Sequence, residues 1–411
     1  MTSVHSLGFP RIGHKRELKK ALESFWSKEI DEKELQSRAA QLRDRHWRIQ
    51  QTCGMDLVPV GDFSLYDHML DMSCTLGAVP PRYGFSSDQV DLGTFFAMAR
   101  GSSTQPAMEM TKWFDTNYHF IVPEFHEGMD FHLASDRIFT QVKEAQALGL
   151  KTKPVLVGPI TYLWLGKEKD LNAEAQHEAQ HHHDDSACHG HGAPVGTACF
   201  DRLTLLPKVL PVYAEILARL ADLDVEWVQM DEPALALALP QEWVKALEST
   251  YQTLSQGKTP KVLLATYFDS VADHAKTLKA LPVAGLHLDL RRAPQQLNSF
   301  LTDYPANKVL SLGVIDGRNV WRADLDATLA LLQPAHQQLG DRLWVAPSCS
   351  LLHTPVDLEQ ETELDAELKS WLAFSVQKLD EVTVIGRALD KGVESVAQEL
   401  ATARAAIASR R

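Results

Sequence analysis

Short runs of β-branched and apolar residues recur along the chain, separated by longer stretches in which apolar positions return every three or four residues. The runs are DLVPVGD (56–62), KPVLVGP (153–159), EWVQMDEP (226–233), KVLLATYFD (261–269), AGLHLDL (284–290), KVLSLGVIDGRN (308–319) and LWVAPSC (343–349). Between them Leu206, Val209, Leu210, Tyr213, Leu217 and Leu220 fall at helical spacing, as do Leu364, Leu368, Trp371, Leu372, Leu379 and Val382. Strand-length runs alternating with amphipathic stretches predict a parallel α/β fold, with the amphipathic stretches as its covering helices.

Nearly every run ends in polar residues: Gly61-Asp62, Asp231-Glu232, Thr266-Tyr267, Asp289, Asp316-Gly317-Arg318-Asn319 and Ser348-Cys349-Ser350. In a parallel barrel the carboxyl ends of all strands emerge on one face, where strand ends and βα loops build the site. The clustering therefore predicts a (βα)8 TIM-type barrel with an N-terminal helical extension. Polar residues that merely terminate strands would give the same pattern. A doubly wound open sheet is the competing fold, but no Gly-rich dinucleotide fingerprint follows the first run. In this division residues 1–52 are an N-terminal strand and helical extension, and residues 53–411 the rest of the barrel. Residues 171–199, polar, His-rich and without period, are an insert loop expected to be disordered.

Charge narrows the partners. Lys and Arg number 41 against 54 Asp and Glu, a net charge of −13 that argues against whole-surface attraction to nucleic acid or anionic lipid. Any anionic ligand must be met locally. No apolar stretch approaches the ~20 residues of a membrane span, and the start MTSVHSLGFPRIGHKRELKK has no apolar signal core, so a cytoplasmic location is expected. The five cysteines, Cys53, Cys74, Cys188, Cys199 and Cys349, are odd in number and scattered, which argues against a disulfide framework.

Four constellations could carry chemistry. Arg11, Lys15, Arg16, Lys19 and Lys20, with His14 among them, follow Gly8-Phe9-Pro10. If a helix begins near Lys15, its amides and these cations suit carboxylates or phosphate; a solvated helix face with Glu/Lys pairing has the same spacing. WVQMDEPAL (227–235) runs a strand into paired carboxylates, either a proton-exchanging site or a strand-end cap. Asp289 and Cys349 could both ligate zinc, but two ligands are too few and no His or Cys stands near Ala265 to Phe268. In the insert, His177, His181, His182, His183, Cys188, His189 and His191 lie beside Asp184 and Asp185. These are suitable zinc or nickel donors at a spacing that matches no finger, so adventitious binding by His181, His183, Cys188, His189 and His191 is preferred over a dedicated site.

The segments LGFPRIGHKRELKKALESFW, VPVGDFSLYDHMLD, EMTKWFDTNYHFIVPEF, KPVLVGPITYLWLGK, WVQMDEPAL, GVIDGRNVWRADL and APSCSLLHTPVDL resemble the N-terminal half of cobalamin-independent methionine synthase. The resemblance covers essentially the whole chain apart from the insert. It implies one of two (βα)8 barrels in an enzyme that moves a methyl group from 5-methyltetrahydrofolate polyglutamate to the homocysteine thiol. It implies zinc and no cobalamin, with zinc, homocysteine and the proton donor in a C-terminal barrel that this chain lacks. Arg16, Glu17, Leu18 and Lys19 match the family's folate-binding segment, and Lys112 in EMTKWF its second folate contact. Asp231, Glu232 and Cys349 then look like relics of a duplication and receive no catalytic role. The expected ligand is 5-methyltetrahydropteroyltriglutamate, with a separate catalytic barrel as a possible partner. The alternatives are a stand-alone folate-polyglutamate binder and a metal-buffering protein acting through the insert.

Overall fold

The structure is a computed structural model that describes residues 1–169 and 200–410. Eight strands form one parallel sheet: β1 (Ser3–Val4), β2 (Val58–Val60), β3 (Thr152–Val157), β4 (Trp227–Asp231), β5 (Lys261–Ala265), β6 (Gly285–Asp289), β7 (Val309–Ile315) and β8 (Leu343–Pro347). Each strand lies beside its neighbour in sequence from β2 through β8, and β1 pairs with β8 in the register Ser3↔Trp344 and Val4↔Val345. A parallel bridge between His5 and Leu57 brings β1 back to β2 and closes the ring. The closure is short because Pro59 has no amide to offer in β2. Side chains help: Asp56 accepts from the Val4 amide at 2.8 Å, while the Asp56 amide donates to the Val4 carbonyl at 2.9 Å.

The strands are buried on both faces because the barrel interior lies on one side and the helices on the other. Trp227–Asp231, Gly285–Asp289 and Leu343–Pro347 are buried at every position. Gly313 in β7 is required by close approach, since a Cβ there would stand 2.6 Å from the Ser348 Cα, and the β7–β8 register shifts between Gly313 and Ile315. The helix Leu206–Asp222 buries all six residues expected to face the barrel. The apolar spacing over 364–382 is divided instead between two helices, Ala366–Trp371 and Ser375–Lys391. Leu372 is extended and bridges to Trp321, so a tertiary pairing interrupts a locally continuous period.

The N-terminal extension consists of α1 (Glu17–Trp26) and α2 (Glu32–Thr52). A second apolar cluster lies outside the barrel, where Leu18, Ala21 and Leu22 of α1 and Leu35, Ala39 and Leu42 of α2 meet Phe95, Phe96 and Met98. Among the described residues no helix is long and apolar enough to cross a membrane. The metal-donor candidates His181, His183, Cys188, His189 and His191, and the insert as a whole, lie outside the described residues.

Candidate functional site

Arg16 caps α1 in the left-handed conformation, with φ of 59°, after a turn that also places Gly13 at φ of 81°. The turn satisfies its own amides. Arg16 N donates to Gly13 O at 3.3 Å, Leu18 N to Ile12 O at 3.2 Å, and Lys15 N to the Glu17 carboxylate at 2.8 Å. The amide receptor expected near Lys15 is thus filled from within, and the exposed cations Arg16 and Lys19 remain.

The four residues of this segment divide into anchors and exposed cations. Leu18 is 1% exposed and is held in the outer cluster. Glu17 accepts from Arg45 Nη2 at 2.7 Å. Burial pushes its carboxyl up, but the amides of Glu17 and Lys15 and the Arg45 guanidinium outweigh that and leave it below the ordinary value. Lys19 approaches Glu23 only at 3.7 Å. Lys112 is exposed at the end of the strand Met110–Lys112, opposite His119 and next to the buried Trp113. Arg11 links the two regions: it donates to Ser64 O at 2.8 Å and lies over the Tyr118 ring, 5.8 Å from its centroid.

Beside Glu17 lies a groove of about 340 Å³ lined also by Lys20, Arg38, Gln41, Leu42 and Arg45. Arg45 was not singled out from the sequence. Its signal was available, because Arg38, Gln41 and Arg45 recur at three- and four-residue spacing on one face of α2.

The barrel mouth is polar and internally satisfied. Lys153 donates to Ser6 O at 3.0 Å and to Gln229 Oε1, while Gln229 donates to Leu7 O at 3.1 Å and to Asp231 at 2.7 Å. Tyr267 OH donates to the other Asp231 oxygen at 3.1 Å. Burial pushes the Asp231 carboxyl up and the Lys153 ammonium down, and each partly offsets the other. Asp62 is pushed up to about 6 by burial, against hydrogen bonds from Phe9 and its own amide and the charges of Lys153 and Arg137. Below it His5 Nε2 and His287 Nδ1 each lie 2.8 Å from Ser311 Oγ, and burial pushes His287 down to about 3. Burial likewise pushes His5 well down, so both sites disfavour the charged imidazole.

The remaining strand-end groups are also engaged. Glu232 accepts from the Ile160 and Thr161 amides and from Tyr251 OH, and Asp289 from the amides of Phe268, Arg291 and Arg292. Burial pushes the Cys349 thiol well up. The charge of Asp289 adds to the rise of the Cys349 thiol, and the Asp289 oxygens already accept from backbone amides. Among the described residues no three His, Cys, Asp or Glu side chains are arranged to hold a metal. The cavity at the mouth, lined by Asp62, His68, Trp113, Asp231, Tyr267 and His353 among others, holds only about 50 Å³.

A closed parallel barrel with a hydrogen-bonded polar mouth and an exposed basic segment at its flank defines the class: a TIM-type barrel domain. Residues 3–340 match the family model described as "Cobalamin-independent synthase, N-terminal domain", and the chain belongs to that family. It is 89% identical over 411 residues to the 5-methyltetrahydropteroyltriglutamate–homocysteine methyltransferase of Acidithiobacillus ferrooxidans, covering 100% of this chain and 52% of that protein. The enzyme of the same name from Neisseria meningitidis serogroup B is 52% identical over 413 residues, covering 100% of this chain and 50% of that protein. The chain thus spans about half the length of the curated relatives it matches. A putative vitamin-B12-independent methionine synthase from Listeria monocytogenes superposes with a TM-score of 0.60 at 13% identity, over 95% of this chain and 99% of that one. The B12-independent methionine synthase of Shewanella sp. W3-18-1, in complex with selenomethionine, gives 0.57 at 14% identity, over 97% and 98%. At these identities the two structures speak for the fold alone.

Proposed function

We propose that this chain binds the glutamate tail of 5-methyltetrahydropteroyltriglutamate within a methionine synthase, and docks a second barrel that completes the enzyme. One observation carries the reading. Arg16 and Lys19 are exposed on either side of two anchors, Leu18 in the apolar cluster and Glu17 in the grip of Arg45. A tail of carboxylates meets preset cations there, with Lys112 as a further contact, and charge-assisted hydrogen bonds supply both affinity and register.

In the complete reaction the homocysteine thiolate attacks the methyl carbon, the bond from that carbon to folate N5 breaks, and N5 takes up a proton. Zinc, when bound, supplies thiol deprotonation near neutral pH. Among the described residues no donor set fits zinc, so we assign the metal, homocysteine and proton transfer to the second barrel. The reading includes no cobalamin, in keeping with the family's description. Cys53, Cys74 and Cys349 are unpaired, which suits a reducing cytoplasmic setting.

The test is reconstitution. The chain is mixed with a separately produced C-terminal barrel of a relative, and methyl transfer from the triglutamate to homocysteine is measured. Turnover by the mixture and none by either part is expected. Chelator-sensitive turnover by this chain alone would overturn the division of labour.

A further inference from the structure

A sizeable cavity lies away from both the basic segment and the barrel axis. It encloses about 510 Å³ between α2, the helix His68–Thr75, the helix Leu92–Arg100 and the helix Arg137–Ala147. Its walls are mixed. Phe63, Phe95 and Leu65 give an apolar side, and Arg43 is already paired with Glu144 through two hydrogen bonds of 2.8 and 2.9 Å.

Two acceptors in this wall lack a hydrogen bond, although the charge of Arg137 lies near one of them. Asp71 and Gln141 are 4% and 3% exposed, and both Asp71 Oδ2 and Gln141 Oε1 are buried without a hydrogen bond. Arg137 stands 3.4 Å from Asp71 Oδ2 but directs Nη1 to the carbonyls of Gly61 and Phe63. A buried acceptor without a hydrogen bond forfeits its solvation uncompensated, the more so if charged, so two in one cavity call for a donor.

We propose that this cavity is a binding site for a compact primary amine with an apolar body. The ammonium donates to Asp71 Oδ2 and Gln141 Oε1, and the body packs against Phe63, Leu65 and Phe95. An anion is disfavoured, since Arg43 is neutralised by Glu144 and the two unsatisfied atoms are both acceptors. The ligand competes with Arg137 for Asp71. Occupancy is therefore felt at the barrel mouth, because Arg137 also lines that cavity and holds the carbonyls on either side of Asp62. The site is independent of the folate reading.

The test uses benzylammonium and its neutral counterpart benzyl alcohol, titrated calorimetrically into the whole chain at pH 7. Benzylammonium is expected to bind at least ten-fold more tightly than benzyl alcohol. Asp71→Asn should abolish that preference, and Gln141→Met, which keeps side-chain volume should the buried aspartate prove essential for folding, should weaken benzylammonium several-fold. Equal affinity for the two probes, or no binding of either because water alone fills the cavity, overturns the proposal. So does a charge preference that survives both substitutions.

Discussion

Replacing Lys19 or Lys112 with Ala tests whether the basic segment receives a ligand or only decorates a helix. A hydrogen bond to a charged group contributes about 1.5–3 kcal/mol when sheltered. Lys19 is not sheltered: its side chain is 56% exposed and its partner Glu23 is equally so, at 3.7 Å. Solvent screening reduces such a contact to about 1 kcal/mol, or roughly five-fold in affinity. Each substitution should therefore weaken binding of the triglutamate about five-fold and leave the monoglutamate unchanged, and the double variant should approach the product because the two cations sit on different elements. The loss should shrink as salt rises past 0.15 M, where the Debye length falls below about 8 Å. Calorimetric titration of the chain with mono-, di- and triglutamate folates, with and without a catalytic barrel, measures all of this. Affinity that is independent of tail length in both settings would refute the assignment and leave a solvated helix face.

Arg45→Met should weaken the triglutamate by a similar factor, since Glu17 loses the partner that fixes the Gly13–Arg16 turn, while fold stability drops by no more than about 1 kcal/mol for so exposed a pair; matched titrations and urea melts separate the two. Lys153→Met removes the one cation from the Gln229–Asp231 network and should destabilise by about 3–5 kcal/mol in urea unfolding, because a buried carboxylate is left uncompensated. A loss below 1 kcal/mol would show that the lysine is neutral in the folded barrel. Asp62 binds its proton more tightly folded than unfolded, so its contribution is complete below the unfolded value near 4 and is lost as pH rises through about 6. Asp62→Asn should accordingly gain on the parent protein across that window, by at most about 3 kcal/mol at 1.36 kcal/mol per pH unit, in urea melts at pH 4 to 7.

The barrel was legible because its signal is local. Runs such as EWVQMDEP and AGLHLDL carry their own boundaries, and the polar residues after them mark one end of nearly every run. Ring closure was less so: β1 has only two ladder residues, too few for any period, and it closes through the Asp56 side chain. The divided helices after residue 364 were hidden for the opposite reason, since the apolar period runs on through a break that Trp321 imposes from another part of the chain. In the candidate site, Arg16, Glu17, Leu18 and Lys19 were visible as a segment, but not that two are anchors and two are exposed. That distinction depends on Arg45 and Phe95, which come from other helices. Lys153, Gln229 and Ser311 were hidden inside apolar runs, because a polar residue facing a barrel axis finds its partner on a different strand.

The distribution of satisfied and unsatisfied groups gives the molecule its direction. At the barrel mouth, where the fold ordinarily places chemistry, Asp231, Glu232 and Asp289 have their oxygens taken by Tyr267, Gln229, Tyr251 and backbone amides. A substrate could engage them only by breaking bonds that hold the βα loops together, and the 50 Å³ beneath has room for little more than water. Among the described residues, groups open to a ligand lie to the side, including cations on the turn into α1 and acceptors behind α2. The cations belong to the N-terminal extension, whereas the acceptors Asp71 and Gln141 stand on the helices His68–Thr75 and Arg137–Ala147, with α2 closing one side of their cavity. Removing the outer cluster's anchor makes this testable: Leu18→Ala leaves a cavity under α1 and should cost about 2–5 kcal/mol of local stability. Because Leu18 packs outside the barrel, hydrogen exchange should accelerate in α1 and α2 while the β4–β8 amides keep their protection. Triglutamate binding should fall with it although no cation has been removed. Uniform loss of protection throughout the barrel would instead make the extension part of the same cooperative unit, and binding that persisted with α1 unprotected would show that the tail does not require a preset segment.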